Sequence, residues 1–181
     1  MDSNFVIGNR KFNSKKVLII AELGTSHGSD LVKAKELTDA AAEAGAACVK
    51  FQIVYADEIL HPNTGEVALP GGKIRLYDRF KQLEVRPDFF AELKGYAESK
   101  GLLFLCTPFG PRSARELRAL NPKAVKIASP ELNYTGLLRE VGAWNLPILL
   151  SSGVSKLGDI EAALETLKGA ASGEAPAREN Y

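Results

Sequence analysis

Five short apolar runs, each leading toward a stretch with helical punctuation, constrain this chain more than any other feature. The runs are "VLIIAELG" (17–24), "ACVKFQIV" (47–54), "LLFLCTPF" (102–109), "AVKIAS" (124–129) and "PILLSSG" (147–153). Continuous apolar runs suit strands of a parallel sheet covered by helices, and strict strand–helix alternation means an α/β fold. The first helix is predicted to start at Ser29 or Asp30 and to stop at Gly45. The second runs from Pro87 to Gly101, and the remaining three lie near 111–120, 134–143 and 156–168. Between the second run and the second helix lies a long polar stretch, 55–86, punctuated by "HPNTG" and "LPGG". Residues 1–16 read as a small hairpin turning at Gly8-Asn9, residues 17–168 as a partial βα barrel, and residues 169–181 as a flexible tail.

Alternate residues of a strand face opposite sides of a sheet. Leu18, Ile20 and Glu22 therefore share a face, as do Lys50 and Gln52, Leu103, Leu105 and Thr107, Lys126 and Ala128, and Leu149 and Ser151. On this face the polar residues gather toward the C-terminal end of every run. The opposite face is apolar at Ala21, Val49, Phe51, Phe104, Val125, Ile127 and Leu150. The apolar face is expected to meet the helices. The other lines the interior of a curved sheet whose last layer opens to a ligand, as at the C-terminal face of a (β/α)8 barrel. A doubly wound sheet also binds ligands at strand ends, but five successive strands with polar ends favour the barrel.

Lys126 sits inside one of these apolar runs, and a buried, unpaired ammonium costs several kcal/mol. It must be paired, neutral, or turned to water or an anion. A structural pair with Glu22 or Glu131 is one outcome. A second lysine of the same facing, Lys50, with the hydroxyls of Thr107, Ser129 and Ser151, points instead to a phosphate or carboxylate ligand.

Composition excludes other classes. The 181 residues are 45% hydrophobic and 25% charged with a net charge of +1, which speaks against a polyanionic partner such as nucleic acid. No stretch reaches the ~18 apolar residues of a membrane span, and the N-terminus lacks a signal-peptide core, so a cytoplasmic protein is expected. Cys48 and Cys106 both lie in apolar runs and read as buried free thiols.

Taken together, "IIAELGTSHGSDLVKAKELTDAAAEAGAACVKFQ", "ESKGLLFLCTPF", "KIASPEL" and "LPILLSSG" resemble the N-acetylneuraminate (sialic acid) synthase family. That family includes pseudaminic and legionaminic acid synthases and spore coat polysaccharide biosynthesis proteins. The motifs stand in family order and at family spacing, and "FVIGNRKF" is similar to the family's N-terminal hairpin. The resemblance implies a (β/α)8 barrel that condenses phosphoenolpyruvate with an N-acylated amino sugar, using manganese or magnesium. Carried across motif by motif, it implies that Lys50, Thr107, Lys126, Ser129 and Ser151 hold phosphoenolpyruvate, while Glu22, Gln52 and Glu131 face the sugar and the incoming water. Glu22, Lys126 and Glu131 are the catalytic candidates, and Tyr77 is a substrate-binding one. His27 stands at a position where the family has a histidine, either a substrate contact or a loop residue bonded to its neighbours, and His61 reads as a loop residue. "SPE" in place of the common "SGE" loosens the assignment of the sugar.

A (β/α)8 barrel typically takes ~250 residues and eight strands. The resemblance places the metal-binding histidines on later strands, so no metal ligands are assigned here. Five strands alone would leave unpaired edges and an uncovered inner face, so a homo-oligomer or association with the rest of a barrel is expected. Two alternatives stand beside the synthase: a non-catalytic, anion-binding remnant or interaction module, and an aldolase that uses Lys126 as a Schiff-base nucleophile.

Overall fold

The computed structural model describes residues 4–69 and 72–173. It opens with an antiparallel hairpin, β1 (Phe5–Ile7) and β2 (Arg10–Phe12), turned on Gly8-Asn9 with Gly8 at φ 60°. The strand–helix series follows: β3 (Ile20–Gly24), α1 (Leu31–Glu43) and β4 (Cys48–Ile53). α1 starts where its cap demands, because the Asp30 carboxylate accepts from the N–H groups of Val32 (2.8 Å) and Lys33 (3.3 Å). It ends at Glu43, two residues before Gly45, which takes φ 82°.

The segment read as a polar stretch is built rather than irregular. It holds α2 (Ala56–Ile59), a hairpin of β5 (Glu66–Leu69) and β6 (Gly72–Arg75), and α3 (Leu76–Lys81). These pieces are too short to show a sequence period, and side chains tie them down. Glu58 accepts from the N–H groups of Arg112 and Ser113, and Glu84 accepts from the N–H of Ala56 (3.0 Å). The series resumes with α4 (Phe89–Ser99), β7 (Leu103–Pro108), α5 (Pro111–Ala119) and β8 (Val125–Ile127). A 3-10 turn (Ser129–Asn133), α6 (Thr135–Gly142), β9 (Ile148–Leu150) and α7 (Leu157–Ser172) complete it. α7 continues past residue 168 and closes on Gly173, inside the segment expected to be a tail; residues 174–181 lie outside the described ones.

β3, β4 and β7 form one parallel ladder in that order, and β8 and β9 form another, with β8 packed beside β7. The apolar face meets the helices as expected: Val49, Phe51, Phe104, Val125 and Ile127 are buried in one core with Leu93, Leu117, Leu137 and Leu138. The inner face departs from expectation in its lower half. There the hairpin turns Ile7 and Phe12 onto Cys48, Leu105 and Ala124, with Leu18, Ile20, Leu103 and Leu149 around them, as a second core. The hairpin covers the apolar part of the inner face and leaves the polar part above it.

Candidate functional site

The ladder sets which side chains meet. Glu22 pairs in register with Lys50, and Lys50 with Leu105; one layer up, Gln52 is level with Thr107. Lys126 is level with Leu149, two residues below Ser151. Side-chain parity is thus as read from the sequence, and it brings Glu22, Lys50, Gln52, Thr107, Lys126 and Ser151 to the C-terminal ends of the strands.

Lys50 is buried at 7% exposure, and its Nζ lies 2.7 Å from Glu22 Oε2 and donates to Thr107 Oγ1 at 3.2 Å. Glu22 itself is more than half exposed, so this ion pair has one dry end and one wet end. Lys126 is half-buried and its Nζ donates to Ser151 Oγ. Burial, and then the nearby Lys50 ammonium, hold the Lys126 pKa below the usual lysine range, with Glu22 opposing. The two lysines therefore lie within electrostatic reach of each other, and one carboxylate, Glu22, acts on both.

Backbone shape completes the rim. β3 breaks register between Glu22 and Gly24, and Gly24 takes φ 52°. A Cβ there would stand 3.5 Å from Glu22 Oε1 and 3.8 Å from the Gln52 side chain. Those are ordinary contact distances, so what calls for glycine here is the left-handed backbone at the break in register, beside the Glu22 and Gln52 side chains. Beyond β8, Ser129 opens the 3-10 turn, and its Oγ lies 4.0 Å from where a Cβ on Gly153 would sit. The turn also carries Glu131, half-buried, whose Oε2 has no hydrogen-bond partner among the described residues. Burial raises its pKa above the usual carboxylate value.

Tyr77 is not part of this cluster. It lies on α3 and donates to Asp57 Oδ1, within the connecting segment. A third network escaped the sequence reading: Tyr55 donates to Glu116, the Arg112 guanidinium lies 3.6 Å from the Tyr55 ring centroid, and burial and Glu116 push the Tyr55 pKa up to about 12.

The cysteines are free and buried, and burial raises the pKa of both thiols. Among the described residues no three of His, Cys, Asp and Glu converge on a point where a metal ion could sit. His27 is enclosed by phenyl rings, and His61 is exposed and accepts from the Asn63 N–H at 3.1 Å. These side chains do not fit the divalent metal that the family resemblance implies. No helix among the described residues is long and apolar enough to cross a membrane.

Known proteins align with this architecture. Spore coat polysaccharide biosynthesis protein SpsE of Bacillus subtilis is 35% identical over 153 residues, covering 84% of this chain and 41% of that protein. N,N'-diacetyllegionaminic acid synthase of Legionella pneumophila is 33% identical over 171 residues, 88% of this chain and 48% of that one. The sialic acid synthetase structure from Leptospira borgpetersenii superposes with a TM-score of 0.83 at 30% identity, over 94% of this chain and 57% of its own. A DAHP synthase from Thermotoga maritima, 13% identical with a TM-score of 0.67, shares the fold. The fold is part of a TIM-type barrel, and the chain spans less than half the length of the curated relatives it matches. With residues 37–176 matching the family as well, the chain belongs to the NeuB family.

Proposed function

We propose that the strand-end cluster is the phosphoenolpyruvate half of a nonulosonate synthase site. The full reaction condenses phosphoenolpyruvate with an N-acylated amino sugar to give a nonulosonic acid and phosphate. One observation carries the reading: Lys50 on β4 and Lys126 on β8 lie within electrostatic reach of each other, with one carboxylate acting on both. Two ammoniums against one carboxylate leave a positive surplus, which suits a guest bearing both a phosphate and a carboxylate. Thr107 and Ser151 already touch the two amines and would turn their hydroxyls to the same guest, joined by Ser129.

In this reading C3 of phosphoenolpyruvate attacks the sugar aldehyde, water adds at C2, and phosphate leaves with C–O cleavage. Glu22 and Gln52 line the sugar side, both beside Gly24. Glu131 suits proton transfer to or from the incoming water, because burial favours its protonated form above the usual pH range of a carboxyl. No step is routed through a metal. Tyr77 would reach a substrate only by giving up Asp57. The protein would act in the cytoplasm, paired with another copy or with the remainder of a barrel; light scattering tests this, and a stable monomer of 19.5 kDa contradicts it.

Phosphoenolpyruvate is expected to raise the melting temperature of the chain, and Lys50→Ala and Lys126→Ala to abolish the rise. An unchanged shift in both variants removes the site. Phosphate release from phosphoenolpyruvate and N-acetylmannosamine with manganese separates an active synthase from an anion-binding remnant. The Schiff-base alternative also falls on Lys126, whose pKa burial and then Lys50 move downward, the direction such chemistry needs. A borohydride-trapped adduct at Lys126 would select it.

A further inference from the structure

The loop from β3 to α1 is a series of tight turns. Ser26 N–H donates to Leu23 O (2.9 Å), Gly28 N–H to Thr25 O (2.9 Å) and Asp30 N–H to His27 O (3.1 Å). In its middle His27 turns inward and is 1% exposed. Its ring lies among Phe51 of β4 and Phe89 and Phe90 of α4, at centroid distances of 6.0, 4.9 and 6.4 Å. Nδ1 accepts from the Ser29 N–H at 3.0 Å, so the ring proton sits on Nε2, which is buried without a hydrogen-bond partner among the described residues. Ser29 is held at φ 69°, a left-handed conformation unusual for serine, and its hydroxyl donates to Gln82 O at 2.8 Å. Phe51 stands on β4 between Lys50 and Gln52 and faces the opposite way. The loop that leaves Glu22 is thus fastened, through His27, to the back of the strand that carries Lys50 and Gln52.

We infer that His27 is a positioning residue: its neutral imidazole pins the β3–α1 loop against β4 and so fixes where Glu22 meets Lys50, and a proton on Nδ1 releases the pin. The chemistry is direct. A protonated ring has two donors, so Nδ1–H would confront the Ser29 N–H and the Ser29 turn would lose its acceptor. The new charge would also be buried among phenyl rings. The charged groups nearby offer it no rescue. Lys33 on α1 repels it; Asp30 is engaged as the α1 cap. In the segment leading into α4, Glu84 is paired with Lys81, and Arg86 with Asp88 and Glu92.

Burial, and then Lys33, hold the imidazole pKa below its ordinary 6.5. The sign follows. The released loop binds the proton more readily than the pinned one, so the pin has full strength above 6.5 and weakens as pH falls toward the lowered value. The inference rests on the proposed site only in giving Glu22 a task; the pin itself stands without any ligand.

Nitrogen-15 spectra of the full chain, titrated from about pH 7.5 to about pH 5, test it. The expected result is an Nε2–H tautomer at neutral pH. Ser29 amide protection, normalised to the unstructured exchange rate, then falls below pH 6.5. The Leu23 and Gly24 amide resonances move with the same midpoint, while α6 amides hold. His27→Gln, which offers an acceptor that does not titrate, retains protection and loses the pH dependence. His27→Phe fills the cage without an acceptor and leaves Ser29 unprotected at every pH. An Nδ1–H tautomer at neutral pH, or Ser29 protection that stays flat across the titration, overturns the inference, as does full protection in His27→Phe. The native titration decides the matter if either variant fails to fold. If phosphoenolpyruvate does not bind while Ser29 still follows His27, the site reading fails and the pin stands.

Discussion

The lower and upper halves of the inner sheet face are built on the same strands and differ in almost every respect. Below, Cys48 and Leu105 are dry and covered by Ile7 and Phe12 from the hairpin. Two residues further along each strand stand Lys50, level with Glu22, and Thr107, level with Gln52, together with Lys126 and Ser151. The strand period is indifferent to this change, since both halves obey the same alternation. What differs is the cover: a β-hairpin can plug an apolar layer, whereas buried ammoniums need partners. The lower half therefore carries stability, and the upper half carries the positive surplus a ligand can use.

Breaking the lower half should have the largest effect. Phe12, 2% exposed and stacked on Phe5 at 5.3 Å, fills the space between hairpin and sheet. Phe12→Ala is expected to lower unfolding free energy by about 3–5 kcal/mol in denaturant titrations. It should also open Cys48 to thiol reagents while Cys106, in the outer core, stays shielded. Equal labelling of both thiols would mean that the two cores do not act separately.

In the upper half the expectation inverts. Lys50→Met should remove the stabilisation conferred by phosphoenolpyruvate, about 2.7 kcal/mol at a hundredfold excess over Kd. It should change the stability of the unliganded chain by no more than about 1 kcal/mol. The reason is that Glu22, freed from Lys50, is already more than half exposed and rehydrates. A large loss of stability without ligand would make Lys50 a structural residue instead.

Glu131→Gln sharpens the contrast further. The folded-state pKa of Glu131 is raised, so its carboxyl binds protons more readily folded than unfolded, and stability falls as pH rises past 4.5 toward the raised value. The isosteric amide should therefore melt higher at neutral pH, by roughly a degree or two, while abolishing any synthase activity. A lower melting temperature would show that Glu131 has a partner in the folded chain. The smallest effect is expected of Ser151→Ala, which removes one neutral donor beside Lys126 and should weaken anion binding by about 1 kcal/mol with the melting temperature almost unmoved.

The strand runs and their parity were legible from the chain because continuous apolar runs and a period of two survive in any context. That was enough to place Lys50, Thr107, Lys126 and Ser151 toward the C-terminal ends of their strands. The Asp30 cap and the Gly45 stop were equally readable, each being a local chemical requirement. Three features were not. α2, β5, β6 and α3 are held by distant side chains such as Glu58 on the start of α5, and no local pattern announces a partner more than fifty residues away. The hairpin's place as a plug depends on where Phe12 lands in three dimensions. The enclosure of His27 depends on Phe51, Phe89 and Phe90 arriving from two other elements. Ser129 was read as a strand-end hydroxyl and Glu131 was placed by motif, and the 3-10 turn that carries both past the strand end became visible only in the fold.

Calorimetric titration of phosphoenolpyruvate into the native chain, Lys50→Ala, Lys126→Ala and the double variant tests the central claim most directly. Two amines sharing one guest predict that each single substitution weakens binding by tenfold or more, about 1.4 kcal/mol, and that the double variant loses less than the sum of the two. Binding unchanged by either substitution, or losses that simply add, would contradict it.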